Sequence, residues 1–279
     1  MPSMSPVPPV PPEPPTASSA HASPVAPRPS AAIALTRDRA AGGIEVLMVR
    51  RQVKSDFAPD VYVFPGGSVQ PGDREAETTP GLCGPVGEET AALGSGLRVA
   101  ALRELFEEAG VLLAVREGAP LAVGPDATDR LTCAREELIG GSLALVALAA
   151  REGLCLATDA LVPWAHWITP EIFPKRFDTH FFLASAPSDQ VAAHDNREVT
   201  ESVWIAPEDA LDRYGRGVFP LVFATIHQLR ALAGLADFAA ARARFAGREP
   251  EVIMPLAFPA EDGGFLVKLP NDPGEPVHL

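Results

Sequence analysis

A chain of 279 residues, 47% of them hydrophobic, can bury a sizeable core and reads as one enlarged domain or a domain with a small appendage. Its formal net charge of -13, without a basic run, excludes nucleic acid and an anionic membrane surface as partners, because nothing offers phosphate neutralisation. Three scattered cysteines, Cys83, Cys133 and Cys155, argue against a disulfide framework or a zinc site and for a reducing, cytoplasmic setting.

In chain order, residues 1–29 are dominated by Pro, Ser and Ala, with PVPPVPPEPP at 6–15. So little apolar surface cannot offset chain entropy, and a disordered tail is predicted, with a proline-rich docking ligand as the alternative. The tail lacks the basic start and continuous apolar core of a signal peptide. No later stretch reaches membrane-spanning length, LALVALAA at 143–150 included. AAIALT (31–36) and IEVLMVR (44–50) read as strands, and VYVF (61–64) as a third that feeds a turn at Pro65, Gly66 and Gly67. Glycines there let backbone approach a ligand or metal where a Cβ would collide.

Segment 68–98, rich in Gly, Pro, Glu and Thr and without periodicity, is expected to be a surface excursion. A helix then ends at Gly110, followed by a strand VLLAV (111–115) and helices around 127–139 and 142–151. Strands follow near 162–168, 179–185 and 199–205, and Pro207 opens a helix with Glu208 and Asp209 beside its positive end. The pattern predicts an α/β fold, a mixed sheet with helices on both faces. We set the main domain at 30–235 and a C-terminal extension at 236–279. Within that extension EVIMPLAF and GGFLVKLP form either a terminal hairpin or an arm onto the second subunit of a homodimer.

The chemistry is concentrated in RELFEEAGV, 103–111. Glu104, Glu107 and Glu108, at i, i+3 and i+4, share a helix face and converge on a small volume, opposite an apolar stripe of Val99, Leu102, Phe106 and Ala109. Arg103 can pair with Glu107 one turn on. Oxygen-only ligands favour Mg2+ or Mn2+ over zinc. The competing reading is a solvated acidic face.

Combined with FPGG (64–67), this run resembles the Nudix hydrolase family, whose box reads G, five residues, E, seven residues, R-E-U-x-E-E-x-G-U, with U aliphatic. Arg103, Glu104, Leu105, Glu107, Glu108, Gly110 and Val111 match the second half at every fixed position. The first half departs: Gly67 precedes Arg103 by thirty-six residues instead of fourteen, and Ser95 stands where the first glutamate belongs. Glu75, Glu77, Glu88 or Glu89 could substitute. An enlarged box, with RRQVKSDFAPDVYVFPGG (50–67), WITP (167–170) and RFDTHFFLA (176–184), is similar to the acyl-coenzyme A diphosphatase branch.

The resemblance implies an α/β/α sandwich that hydrolyses a diphosphate linkage in a small-molecule nucleotide, with coenzyme A or acyl-coenzyme A nominated. ADP-ribose, a nucleotide sugar or a dinucleotide remain alternatives, as does a noncatalytic ligand-sensing module. It implies Mg2+ or Mn2+ held by Glu104, Glu107, Glu108 and Gly67, with Arg103 and Glu104 in the catalytic set. A general base would come from the box or from HDNREVTESVWIAP (194–207), a segment that could equally supply a further metal ligand, where Glu198 sits at the strand entrance and Glu201 shares a face with Val199, Val203 and Ile205. Arg50 and Arg51, with Gly66 and Gly67, would bind substrate; Lys54, Lys175 and Arg176 are further cations near the site. His180 reads as a hydrogen-bonded core residue and His166 as part of an aromatic cluster with Trp164 and Trp167.

Overall fold

The computed structural model describes residues 24–54, 58–87, 93–94, 96–195, 197–261 and 263–278, leaving aside the side chains of 77, 125 and 126. Most of the proline-rich tail, and Ser95, Glu88 and Glu89 of the box's first half, lie outside the described residues.

The central sheet is built from β1 (Arg28–Asp38), β2 (Ile44–Arg51), β3 (Tyr62–Val63), β4 (Gly66–Ser68), β8 (Val162–Ile168), β9 (Phe177–Ser185), β10 (Val199–Ile205) and β11 (Val252–Ile253). Its main order is β10-β2-β1-β9-β8-β11, with β3 beside β2 and β4 beside β1. The β1–β9 and β8–β11 pairs are parallel and the others antiparallel, so the sheet is mixed. Strand β1 shows why. Its alternate residues Ala31, Ile33 and Leu35 join one core, while Ala32 and Ala34 join the other. A strand buried on both faces has no polar side to present, which accounts for the unbroken apolar run AAIAL.

On the first face lie α1 (Pro71–Thr78), α2 (Leu97–Ala109), α3 (Pro125–Ile139) and α4 (Leu145–Glu152). On the second lie α5 (Pro207–Gly215), α6 (Phe223–Leu232) and α7 (Phe238–Phe245). A small sheet of β5 (Ala114–Arg116), β6 (Ala119–Pro120) and β7 (Cys155–Leu156) flanks the first layer. The two C-terminal apolar runs do form paired strands, β12 (Leu256–Pro259) and β13 (Phe265–Lys268), joined by β14 (Val277–His278). Val267 of this meander packs with Trp167 and Phe223 of the same chain.

Three expectations are corrected. The Gly66–Gly67 segment is extended rather than turned, because its backbone pairs with β1 at Ala32 and Ala31. The insertion is not merely a surface excursion: it carries α1, opened by Pro71 and closed on itself by a Gln70–Asp73 capping box, with Ala76 and Asp73 buried. In VLLAV only its end is strand. The Gln190 side chain takes up both backbone groups of Leu112, donating to its carbonyl at 3.0 Å and accepting from its N–H at 2.9 Å, so no neighbouring strand is needed there.

Candidate active site

Helix α2 places the box. Every residue from Leu97 to Ala109 is buried except Glu107, and the helix stops at Gly110, whose φ of +70° is the left-handed cap that its sequence position predicts. Burial therefore reaches past the apolar stripe to the carboxylates: Glu104 is 8% exposed and Glu108 3%.

Arg103 organises them. Its Nε donates to Asp73 Oδ1 at 3.0 Å, and Nη1 to Glu104 Oε1 at 2.8 Å and Glu107 Oε2 at 2.7 Å. Nη2 donates to the Ser68 carbonyl at 2.9 Å and Asp73 Oδ2 at 3.1 Å. All five guanidinium N–H donors thus meet protein acceptors, which leaves none for substrate and makes Arg103 a positioning residue. The upstream acid it finds is Asp73, thirty residues earlier, and not the exposed Glu75. Asp73 was not among the sequence candidates. The signal for it was the capping pattern Gln70-Pro71-Gly72-Asp73, which points that carboxylate back toward the helix entrance.

The three box glutamates do not close on one point. Arg103 draws Glu107 toward a second cavity of about 200 Å³ that Gln70, Asp73 and Arg103 also line. Glu108 turns to strand β4, where its Oε2 accepts the Gly66 N–H at 3.1 Å. A trio of box carboxylate oxygens mutually within 4.8 Å is absent among the described residues. Gly67 backs directly onto Glu104: a Cβ there would lie 2.6 Å from the Glu104 carboxyl carbon. Gly67→Ala is expected to displace Glu104 and reduce kcat/KM by about 10²-fold, as an ångström of misplacement does, with secondary structure by circular dichroism unchanged.

Of the downstream candidates, Glu198 and Arg51 line the same cavity as Glu104, Gly66 and Gly67. Glu201 and Arg50 are turned elsewhere. Tyr62 Oη donates to Glu201 Oε2 at 2.7 Å, while Arg50 Nε donates to Asp60 Oδ1 at 2.8 Å and its guanidinium lies 5.5 Å over the Tyr62 ring. The β10–β2 register shifts between Val199 and Glu201, pairing them with the adjacent Arg51 and Arg50, so Val199 leaves the face expected to be shared with Glu201. Arg176 is buried, donating to the carbonyls of Thr169 and Val25, and is structural.

The cavity measures about 730 Å³. Its lining brings Glu104, Glu198, Arg51 and β4 together with Trp167, Phe173, Phe177, Phe181, Phe223 and Val267. Part of that apolar wall comes from the C-terminal meander.

Charge around α2 is unbalanced. The five carboxylates Asp73, Glu104, Glu107, Glu108 and Glu198 outnumber the cations that act on them, Arg103, Arg51 and, at Glu108, Arg135. Desolvation raises the carboxyls of Glu104 and Glu108, and pushes Glu107 up to about 7, against the opposing pull of Arg103 on Glu104 and Glu107. Buried oxygen donors with excess negative charge and no nitrogen or sulfur among them fit a hard divalent cation.

A pH dependence follows. Glu107, with an ordinary value of 4.5, binds more protons folded than unfolded between that value and about 7, so stability falls as pH rises through this window, and Glu104 and Glu108 shift in the same direction. A cation that binds the ionised groups reverses the loss. Scanning fluorimetry of chelator-treated protein is expected to give a larger Tm gain from Mn2+ at pH 8 than at pH 5.5.

A mixed sheet between two helical layers, with an R-E-x-x-E-E helix laid against a Gly-Gly strand, defines a Nudix-type sandwich. Residues 85–230 match the model of the NUDT19 Nudix domain, and the chain belongs to the Nudix hydrolase family. It is 29% identical over 193 residues to putative nudix hydrolase 7 of Caenorhabditis elegans, covering 69% of this chain and 57% of that one. It is 30% identical over 208 residues to the acyl-coenzyme A diphosphatase NUDT19 of Xenopus laevis, covering 61% and 54%. The chain thus spans little more than half the length of these two relatives. The crystal structure of a NUDIX hydrolase from Alicyclobacillus acidocaldarius is similar at 32% identity and a TM-score of 0.68, over 80% of this chain and 99% of that one.

Proposed function

We propose that this protein hydrolyses the diphosphate linkage of coenzyme A or acyl-coenzyme A, with Mg2+ or Mn2+ as cofactor, giving adenosine 3',5'-bisphosphate and (acyl-)phosphopantetheine. The observation that carries the reading is a single cavity with two chemistries in its lining, carboxylates suited to a cation and diphosphate and a set of aromatic and aliphatic side chains. A thioester-linked acyl chain joined to a nucleotide has the same two halves. The name of the Xenopus relative, an acyl-coenzyme A diphosphatase, supports the same substrate class.

In this reading Glu104, Glu108 and Gly67 would hold the ion, and Glu107 would join them on swinging away from Arg103 and the second cavity. When bound, it neutralises the diphosphate oxygens and acidifies a water. Glu198, which lines the same cavity as Glu104, accepts the proton of the attacking water. Water oxygen joins one phosphorus, the bridging P–O bond breaks, and the departing phosphate leaves with the electron pair. Arg51 offers charge to the diphosphate, and Arg103 fixes Glu104 from behind without touching substrate.

The test is product analysis by liquid chromatography and mass spectrometry. Purified full-length protein is incubated with Mg2+ or Mn2+ and a panel of coenzyme A, acyl-coenzyme A, ADP-ribose, a nucleotide sugar and a dinucleotide. Release of adenosine 3',5'-bisphosphate from the first two at the highest kcat/KM is expected. Intact coenzyme A beside consumed ADP-ribose would replace the substrate, and a wholly untouched panel would leave a noncatalytic ligand-binding module.

A further inference from the structure

Strands β8 and β9 run antiparallel with His166 directly opposite His180 and Ile168 opposite Asp178. Directly opposed residues project to one face, and Asp178 lies two residues before His180, so His166, Asp178 and His180 share a face. It is the face of Phe182, which packs in the core around α2. The cavity lies on the other side of these strands, lined by Phe177, Thr179 and Phe181. His166 Nε2 is 2.5 Å from Asp178 Oδ1, and His180 Nε2 is 3.9 Å from that same oxygen. The imidazoles stack with centroids 3.8 Å apart, so His166 lies against His180 and not in the tryptophan cluster expected from sequence. His180 was expected to be a satisfied core residue, yet its buried Nδ1 has no hydrogen-bond partner. One ligand-type atom from each residue lies within 4.8 Å of the other two, the one such trio among the described residues.

We propose that His166, Asp178 and His180 form a site for a borderline transition-metal ion of the Zn2+ class, separate from the oxygen-only box site. Zn2+ takes imidazole nitrogen and carboxylate oxygen at about 2.0–2.2 Å, which in a tetrahedron sets the donors roughly 3.3 Å apart. The 2.5 Å contact has to open and the 3.9 Å contact to close by less than an ångström each, and the stacked imidazoles have to turn so that both lone pairs meet the ion. The nearby Arg98 guanidinium opposes any cation, and Asp178 offsets it. An ion that bound through charge alone would gain little here, whereas imidazole coordination favours Zn2+, Co2+ or Ni2+ over Mg2+. Three protein ligands leave a fourth position for water. Bound there, the ion would fasten the two strands whose opposite faces carry Trp167 and Phe181 into the cavity wall.

The test uses the full-length chain without a polyhistidine tag, stripped with chelator, held in saturating Mg2+ and titrated with Co2+. One equivalent of Co2+ is expected to give the intense visible absorption of a four-coordinate ion, displaced by Zn2+. The band is expected to survive Glu107→Gln/Glu108→Gln and to be lost in His166→Ala and in Asp178→Asn, each checked by circular dichroism. In the unsubstituted protein, imidazole 1H–15N spectra are expected to show the Nε2 resonances of His166 and His180 moving with one equivalent of Zn2+. Absence of the band, its loss on box substitution, or unmoved resonances of both histidines would each overturn the proposal.

Discussion

Replacing Glu108 by Gln is expected to lower kcat/KM for the diphosphate substrate by about 10³-fold or more while raising the Tm of the chelator-treated protein. The two effects have one cause. Glu108 is 3% exposed, is raised by burial and by the charge of Glu104, and is relieved by one backbone hydrogen bond from Gly66. A carboxylate kept ionised in that setting is a cost to the fold that a divalent cation would repay during catalysis. Glutamine keeps the shape and still accepts from Gly66, but it removes the charge. The lost cation binding appears as about 4 kcal/mol of transition-state stabilisation for a 10³-fold effect. Each ~1 kcal/mol of removed strain appears as a Tm gain of about 2–4 °C for a chain of this size. Steady-state kinetics and differential scanning fluorimetry check both. A variant that turns over normally would take Glu108 out of the site, and a lower Tm without metal would mean that its charge is compensated in the fold.

Much of this site is legible in the sequence because it is local. Helix α2 declares itself through period and cap, and its carboxylates are one turn apart, so their common face needs no tertiary information. Strand β1 is equally plain, since burial on both faces demands an unbroken apolar run. What escapes is pairing at a distance. Gly66 and Gly67 look like a turn until the β1 backbone arrives to pair with them. Glu198 and Glu201 are both candidates in sequence, and only the tertiary surroundings show that one lines the cavity while the other meets Tyr62. Asp73 hides in a segment with no periodicity, because a helix of eight residues is too short to display one, and its partner lies thirty residues away. The His166–His180 juxtaposition likewise exists only once β8 and β9 are in register.

Arg103→Leu is expected to destabilise the protein by about 3–5 kcal/mol, a Tm drop on the order of 10 °C. The guanidinium is 4% exposed and sits between Asp73, Glu104 and Glu107, so its removal strands three carboxylates, two of them buried, without a cation. Arg103→Lys keeps the charge but offers three donors from one point, where the fork of Arg103 reaches Asp73 through Nε and Nη2 and both glutamates through Nη1. It is expected to fall between the two. The decisive comparison is Arg103→Leu/Asp73→Leu against Arg103→Leu alone. If the Asp73–Arg103 fork ties the inserted α1 to α2, removing both partners relieves the unpaired charge that removing one creates, and the double variant recovers a kcal/mol or more, by the logic of coupled neighbours. A double variant as unstable as the sum of the two single ones would deny that coupling, and Asp73 would then serve only its own helix cap, where it accepts the Gln70 N–H at 2.7 Å. Activity separates the roles further: if Arg103 acts by holding Glu104 in place, Arg103→Lys lowers kcat with little change in KM.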